Sequence, residues 1–132
     1  MHEAVRRECT AVRNLVGLFD ASTLGKIEVV GPDAAEFLNR MYVNSWSNLA
    51  PGHLRYGVML REDGFVMDDG VVARCALDRF HLTTTTGGAG RVLHMMEDYL
   101  QTEWSDLQVW LTSVTEQWAV IAVQGPNARR VI

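Results

Sequence analysis

Lysine is almost missing from this chain: its twelve basic residues are eleven arginines and one lysine, Lys26. Codon composition alone can produce such a bias, so no function is drawn from it. Runs of basic residues are absent as well, and with sixteen acids the formal net charge is −4. That balance argues against nucleic acid as a partner and against binding to an anionic membrane. Cysteine is equally sparse. Cys9 and Cys75 lie far apart, in no CxxC or Cys/His pattern, and read as buried free thiols of a cytoplasmic protein, with no zinc site. The four histidines, at 2, 53, 81 and 94, lack ligand spacing, so no metal is expected. No apolar run reaches the roughly 18 residues of a membrane span. The charged start, MHEAVRRECT, lacks the apolar segment of a signal peptide.

What is present suits one domain. The chain has 132 residues, 48% hydrophobic and 21% charged, enough to bury a core. Apolar or small residues at Ala4, Val5, Cys9, Ala11 and Val12 are spaced for one face of a helix over 3–14. Residues 18–20 follow as a short extended piece. LGKIEVV (24–30) reads as a strand. Pro32, Asp33 and Glu36 open a helix through about Met41, since proline and acids suit the first turn. FHLTTTT (80–86) is a strand by its β-branched residues. Residues 89–101 form a helix with Val92, Leu93, Met96 and Leu100 inward. Two more strands are expected at 107–115 and 118–124, the second apolar throughout and therefore central. GPNARR, near the end, reads as a loop opening a helix. The order α-β-α-β-β-β-α-β-β predicts an α+β fold, a mainly antiparallel sheet with packed helices. Gly87-Gly88 opens a helix but lacks the GxGxxG frame of a dinucleotide site.

The chain is organised around Arg55–Arg74, RYGVMLREDGFVMDDGVVAR. Two apolar segments flank Glu62-Asp63-Gly64, a hairpin signal, and Asp68-Asp69-Gly70 is set into the second. Adjacent strand residues point to opposite faces, so one of the two acids faces inward, at a cost unless it is paired or used. Residue types alone leave another reading open: a bulge or turn with both acids in water.

Four segments in order, VGLFDASTLGKIEVVGPDAAEFL (16–38), RYGVMLREDGFVMDD (55–69), the Thr-rich strand at 79–86 and IAVQGPNARRVI (121–132), resemble the tetrahydrofolate-binding fold of the glycine-cleavage T-protein (aminomethyltransferase) family. Within it, Thr23-Leu24, TTTTGGAG and EDYLQTEW…LTSVTEQWAVIAVQGP look like the folate domain of the sarcosine oxidase alpha-subunit branch. The resemblance implies a single, truncated folate-binding domain over 1–132. Its parent would pass the one-carbon unit of oxidised sarcosine to tetrahydrofolate, giving 5,10-methylenetetrahydrofolate. FAD, FMN and NAD would lie in other parts of that parent, and its other subunits would be the partners. The fragment alone would be inactive, and its apolar faces could make it a homo-oligomer. A T-protein-type aminomethyltransferase or a non-catalytic folate-fold module are the alternatives.

Carried over by position, Asp69 matches the family acid at the folate's reactive nitrogens, both catalytic and cofactor-binding. Asp68 would face away as a structural turn acid. Tyr56 matches a tyrosine that packs on the pterin, though a half-buried hairpin tyrosine is an equal reading. Thr85 stands where the T-protein has a folate-contacting Asn, and a hydroxyl replaces only part of an amide's hydrogen bonding. Ala73 replaces a family tyrosine four residues after the acid.

Overall fold

Alternating apolar residues in successive strands build a five-stranded antiparallel sheet. In the computed structural model, which describes residues 2–132, the strands are β2 (Gly25–Val30), β3 (Leu54–Leu60), β4 (Val66–Ala76), β5 (Arg79–Thr84) and β6 (Trp110–Ser113). Their order is β3-β4-β5-β2-β6, and every pairing is antiparallel. The fold class is α+β. Two helices, α2 (Ala34–Met41) and α3 (Ala89–Thr102), complete a body spanning Leu24–Trp118.

One face of the sheet carries the core. Met59, Val72, Phe80, Leu82, Ile27 and Val29 from the strands join Phe37 and Leu38 of α2 and Val92 and Met96 of α3 in one buried cluster. Leu93 and Leu100 are only partly buried against it. The hairpin between β3 and β4 turns where Asp-Gly predicts it. Gly64 takes φ +81, a left-handed conformation that glycine adopts without a Cβ clash, and its N–H donates to the Arg61 carbonyl at 2.9 Å.

Lys26 is fully buried in β2. Its ammonium donates to the carbonyls of Thr115 (2.8 Å) and Trp118 (2.7 Å), so it ties the segment after β6 to the sheet. A buried ammonium is tolerated when such acceptors surround it. An amine-reactive reagent is therefore expected to leave Lys26 unmodified in the folded protein and to label it in denaturant, as read by peptide mass spectrometry.

A second body comprises the residues up to Thr23 together with Ala119–Ile132. In it α1 (His2–Asn14) precedes β1 (Gly17–Asp20), which pairs antiparallel with β7 (Ile121–Gln124) as a two-stranded sheet. Here several expectations are corrected. The apolar segment 118–124 is not a central strand. Only 121–124 is strand, β1 is its one strand neighbour among the described residues, and Ile121 is 59% exposed. An apolar run alone cannot tell a strand flanked on both edges from one paired on a single edge. GPNARR does open a helical turn, of 3-10 form, at Ala128–Arg130. The apolar stripe of α1 buries no residue. Cys9 and Cys75 are exposed, not buried: Cys9 lies on that unburied helix, and Cys75 falls where the β4–β5 register shifts.

Candidate functional site

Strand alternation sorts β4 into two faces. Val72 and Asp68 fall on the side of the buried core, while Asp69, Val71 and Ala73 fall on the other. The register aligns Asp69 with Val58, Val71 with Tyr56 and Ala73 with His81. Tyr56 and Asp69 therefore share one face of the sheet, on adjacent strands and one step apart. Lys26 and Glu28 of β2 lie on that face too, opposite Thr83 and His81.

Asp69 is half-buried, and among the described residues no donor is bonded to its carboxylate. Tyr56 is 58% exposed, which corrects the half-buried reading: β3 is an edge strand, and its ring stands clear of the sheet. Val58 and Val71, both half-buried, make the apolar floor between ring and carboxylate.

Asp68 does face the other way, but it is not a wet turn acid. It lies inside strand β4 at 5% exposure, so the reading with both acids in water is overturned, while the irregularity in the β3–β4 register falls one residue earlier, at Met67. Its Oδ1 accepts from the N–H of Asp69 (3.0 Å) and of Thr85 (3.3 Å). The nearby phenol of Tyr42 is pushed well above its ordinary range, first by burial and then by the Asp68 charge. Thr85 is exposed, and its hydroxyl is engaged, accepting from the Gly88 N–H at 3.1 Å as the cap of a 3-10 turn over Thr86–Gly88. β5 thus ends at Thr84, short of the expected 86.

His81 was not singled out by its sequence, although Phe80-His81-Leu82 alternates it out of the core. The ring lies edge-on to Trp118 at 6.3 Å, and its Nδ1 is 4.0 Å from Glu28 Oε1, which also accepts from Arg79 at 2.7 Å. Burial lowers the imidazole pKa. Glu28 opposes that, while Arg79 and Lys26 reinforce it. A histidine lowered in the folded state is protonated more readily in the unfolded chain. Its contribution to stability is complete above the ordinary value of about 6.5 and is lost as pH falls below it. Urea unfolding at pH 7.5 and pH 5 is expected to show a smaller loss of stability on acidification for His81→Gln than for the native sequence.

The described residues include no cluster of three or more His, Cys, Asp or Glu able to hold a metal, and no helix long and apolar enough to cross a membrane. An α+β domain with an acid and an aromatic ring on an open sheet face is thus the class that fold and site define. The GCVT N-terminal domain family matches residues 1–132, and the chain belongs to that family. It is 61% identical over 132 residues to the sarcosine oxidase alpha subunit of Corynebacterium sp. strain U-96, covering all of this chain and 14% of that protein. It is 41% identical over 130 residues to a probable aminomethyltransferase of Haloarcula marismortui, covering 96% of this chain and 35% of the other. The solved glycine cleavage system aminomethyltransferase T from Bartonella henselae superposes with a TM-score of 0.84 at 30% identity, covering 95% of this chain and 33% of that one. The chain therefore has the T-protein fold, and it spans about a seventh of its sarcosine oxidase relatives and about a third of the aminomethyltransferases.

Proposed function

We propose that this chain is the Asp69-bearing part of a folate-dependent one-carbon transfer domain in a sarcosine oxidase-type enzyme. The single observation that carries the reading is a half-buried carboxylate without a partner among the described residues, beside an exposed tyrosine on an apolar sheet surface. That surface fits a flat heterocycle bearing N–H groups: Tyr56 supplies an aromatic wall, and an acceptor-only carboxylate suits N–H donors. Thr85, exposed in the turn after β5, would offer the proton of a hydroxyl whose oxygen already accepts from the Gly88 N–H.

Tetrahydrofolate, when bound, would supply the two nucleophilic nitrogens that take up the one-carbon unit to give 5,10-methylenetetrahydrofolate, the carbon's original bond to the amine nitrogen breaking and the amine leaving with a proton. Asp69 takes the proton that such a nitrogen must lose, the role of a positioned general base. Its negative charge also stabilises a cationic iminium carbon, more strongly where water is excluded. Tyr56, Val58 and Val71 exclude that water from one side. The higher identity to the oxidase relative than to the aminomethyltransferase favours sarcosine as the carbon source over a lipoyl-bound aminomethyl group. FAD, FMN and NAD would belong to other parts of the parent, other subunits would be its partners, and it would be cytoplasmic. The isolated chain would have little activity and could self-associate through its exposed apolar residues.

In the full-length protein, Thr85→Asn restores the family amide. It is expected to strengthen tetrahydrofolate binding severalfold, as read by titration calorimetry, because an amide offers both a donor and an acceptor where the hydroxyl is already committed to Gly88. Weaker binding by that variant would count against Thr85 as a folate contact.

A further inference from the structure

Asp69 leaves the adjacent acid to be explained. A carboxylate as buried as Asp68 costs several kcal/mol unless the protein compensates it. The compensation comes from two backbone N–H groups, those of Asp69 at 3.0 Å and Thr85 at 3.3 Å, both on Oδ1. Oδ2 is buried with no hydrogen-bond partner and lies against Gly88, the last residue of the 3-10 turn that leads into α3. A Cβ at Gly88 would collide with Oδ2 and approach Thr85 Oγ1 to 2.6 Å. Gly88 has ordinary helical angles, φ −87 and ψ −19, so it is glycine here for space and not for conformation.

The place where this happens matters for the site. Direct pairing of β4 with β5 begins only at Val72↔Leu82. One residue earlier the Val71 N–H is bonded to the side chain of Thr83, at 2.8 Å, instead of a strand carbonyl. At Asp69 the strand is therefore in register with β3 alone, opposite Val58, whose own N–H and carbonyl bond to Asn44 and Val43, and its other side is held by the Asp68 carboxylate reaching Thr85.

We infer that Asp68 is a positioning residue for the transfer site: wedged at Gly88, its carboxylate fixes the Asp69 backbone and with it the direction of the reacting acid. This rests on the reading of Asp69 given above. Asp68 does not itself reach the open face, because Oδ2 is buried and Oδ1 is committed to backbone.

The test uses the full-length protein, with folate-dependent one-carbon transfer and amine oxidation measured side by side. A displacement of about 1 Å at a reacting group can cost on the order of a hundredfold in rate. Asp68→Ala is accordingly expected to lower the turnover number for transfer by about ten- to a hundredfold while amine oxidation continues. Asp68→Asn keeps an oxygen for both N–H donors and recovers most of that loss. Gly88→Ala removes no polar group yet presses on Oδ2, so it is expected to impair transfer alone and to add nothing to Asp68→Ala, the non-additivity of a shared contact. Transfer at the native rate in Asp68→Ala, Asn as defective as Ala, or independent multiplication of the two losses would each overturn the inference. If Asp68→Ala does not fold, Gly88→Ala decides: native transfer in that variant overturns the inference. Transfer lost in Asp69→Asn but kept in Asp68→Ala overturns this inference alone. Transfer kept in Asp69→Asn overturns the functional reading and this inference with it.

Discussion

Asp69→Asn in the full-length protein is expected to abolish formation of methylenetetrahydrofolate while amine oxidation continues. The substitution preserves shape and leaves an amide that can neither accept the proton nor carry the charge. Loss of a positioned general base costs about a hundredfold to ten-thousandfold in rate, and loss of charge opposite a cationic carbon adds to it. The fold should tolerate the change. The Asp69 carboxylate has no bonded partner among the described residues, and the backbone N–H that binds Asp68 is retained. The measurement is product analysis with both activities followed in one sample, alongside a thermal melt. Undiminished folate product from a folded variant would remove Asp69 from the chemistry.

The second large effect belongs to Gly70, the third member of the Asp-Asp-Gly step. It pairs with Gly57 across β3 and packs so closely on Thr83 that a Cβ would collide with that residue's backbone carbonyl. A backbone atom of a neighbouring strand cannot rotate away. Gly70→Ala must therefore push β4 and β5 apart where they already diverge. Overpacking of this kind costs about 1–3 kcal/mol, occasionally more. Because Asp69 is the adjacent residue, folate-dependent transfer should fall with stability. Urea unfolding reads the first and the transfer assay the second. Gly87→Ala is the control, since nothing lies within 4 Å of a Cβ there; it should change stability by less than about 0.5 kcal/mol. Equal effects at the two positions would mean that the close approach at Gly70 is relieved by easy motion of the strand.

The hairpin was legible because its signals are local: Asp-Gly between apolar segments fixes the turn, and alternation fixes which residues share a face. That Asp68 and Asp69 oppose one another also follows from the two-residue period of a strand. Which of them is buried does not. It depends on Gly88 and Thr85, contributed by a turn some twenty residues later that makes room for one carboxylate and supplies it with an N–H. Lys26 escaped notice for the same reason. Its acceptors, Thr115 and Trp118, lie about ninety residues away, and a lysine in an alternating strand gives no local sign that it will be buried.

Composition also fails to reveal burial at positions where burial depends on neighbouring elements. WAVIAVQ is apolar enough for a central strand, but among the described residues β7 pairs with β1 alone. Cys9 lies on an amphipathic helix none of whose residues is fully buried, so its thiol is exposed however apolar its surroundings look in the sequence. The sheet core itself, from Ile27 and Val29 through Phe80 and Leu82, was legible because alternation, β-branching and turn residues all agreed there.

On the proposed reading, the open face of the sheet between Tyr56 and Asp69 receives the folate ring. Titration calorimetry of the full-length protein with reduced tetrahydrofolate, repeated on Tyr56→Ala, tests it most directly. An aromatic contact contributes about 0.5–1.5 kcal/mol beyond the area it buries, so saturable one-site binding is expected, weakened about tenfold in Tyr56→Ala. Saturable binding of unchanged affinity in that variant would contradict it, and would place the folate elsewhere on the protein.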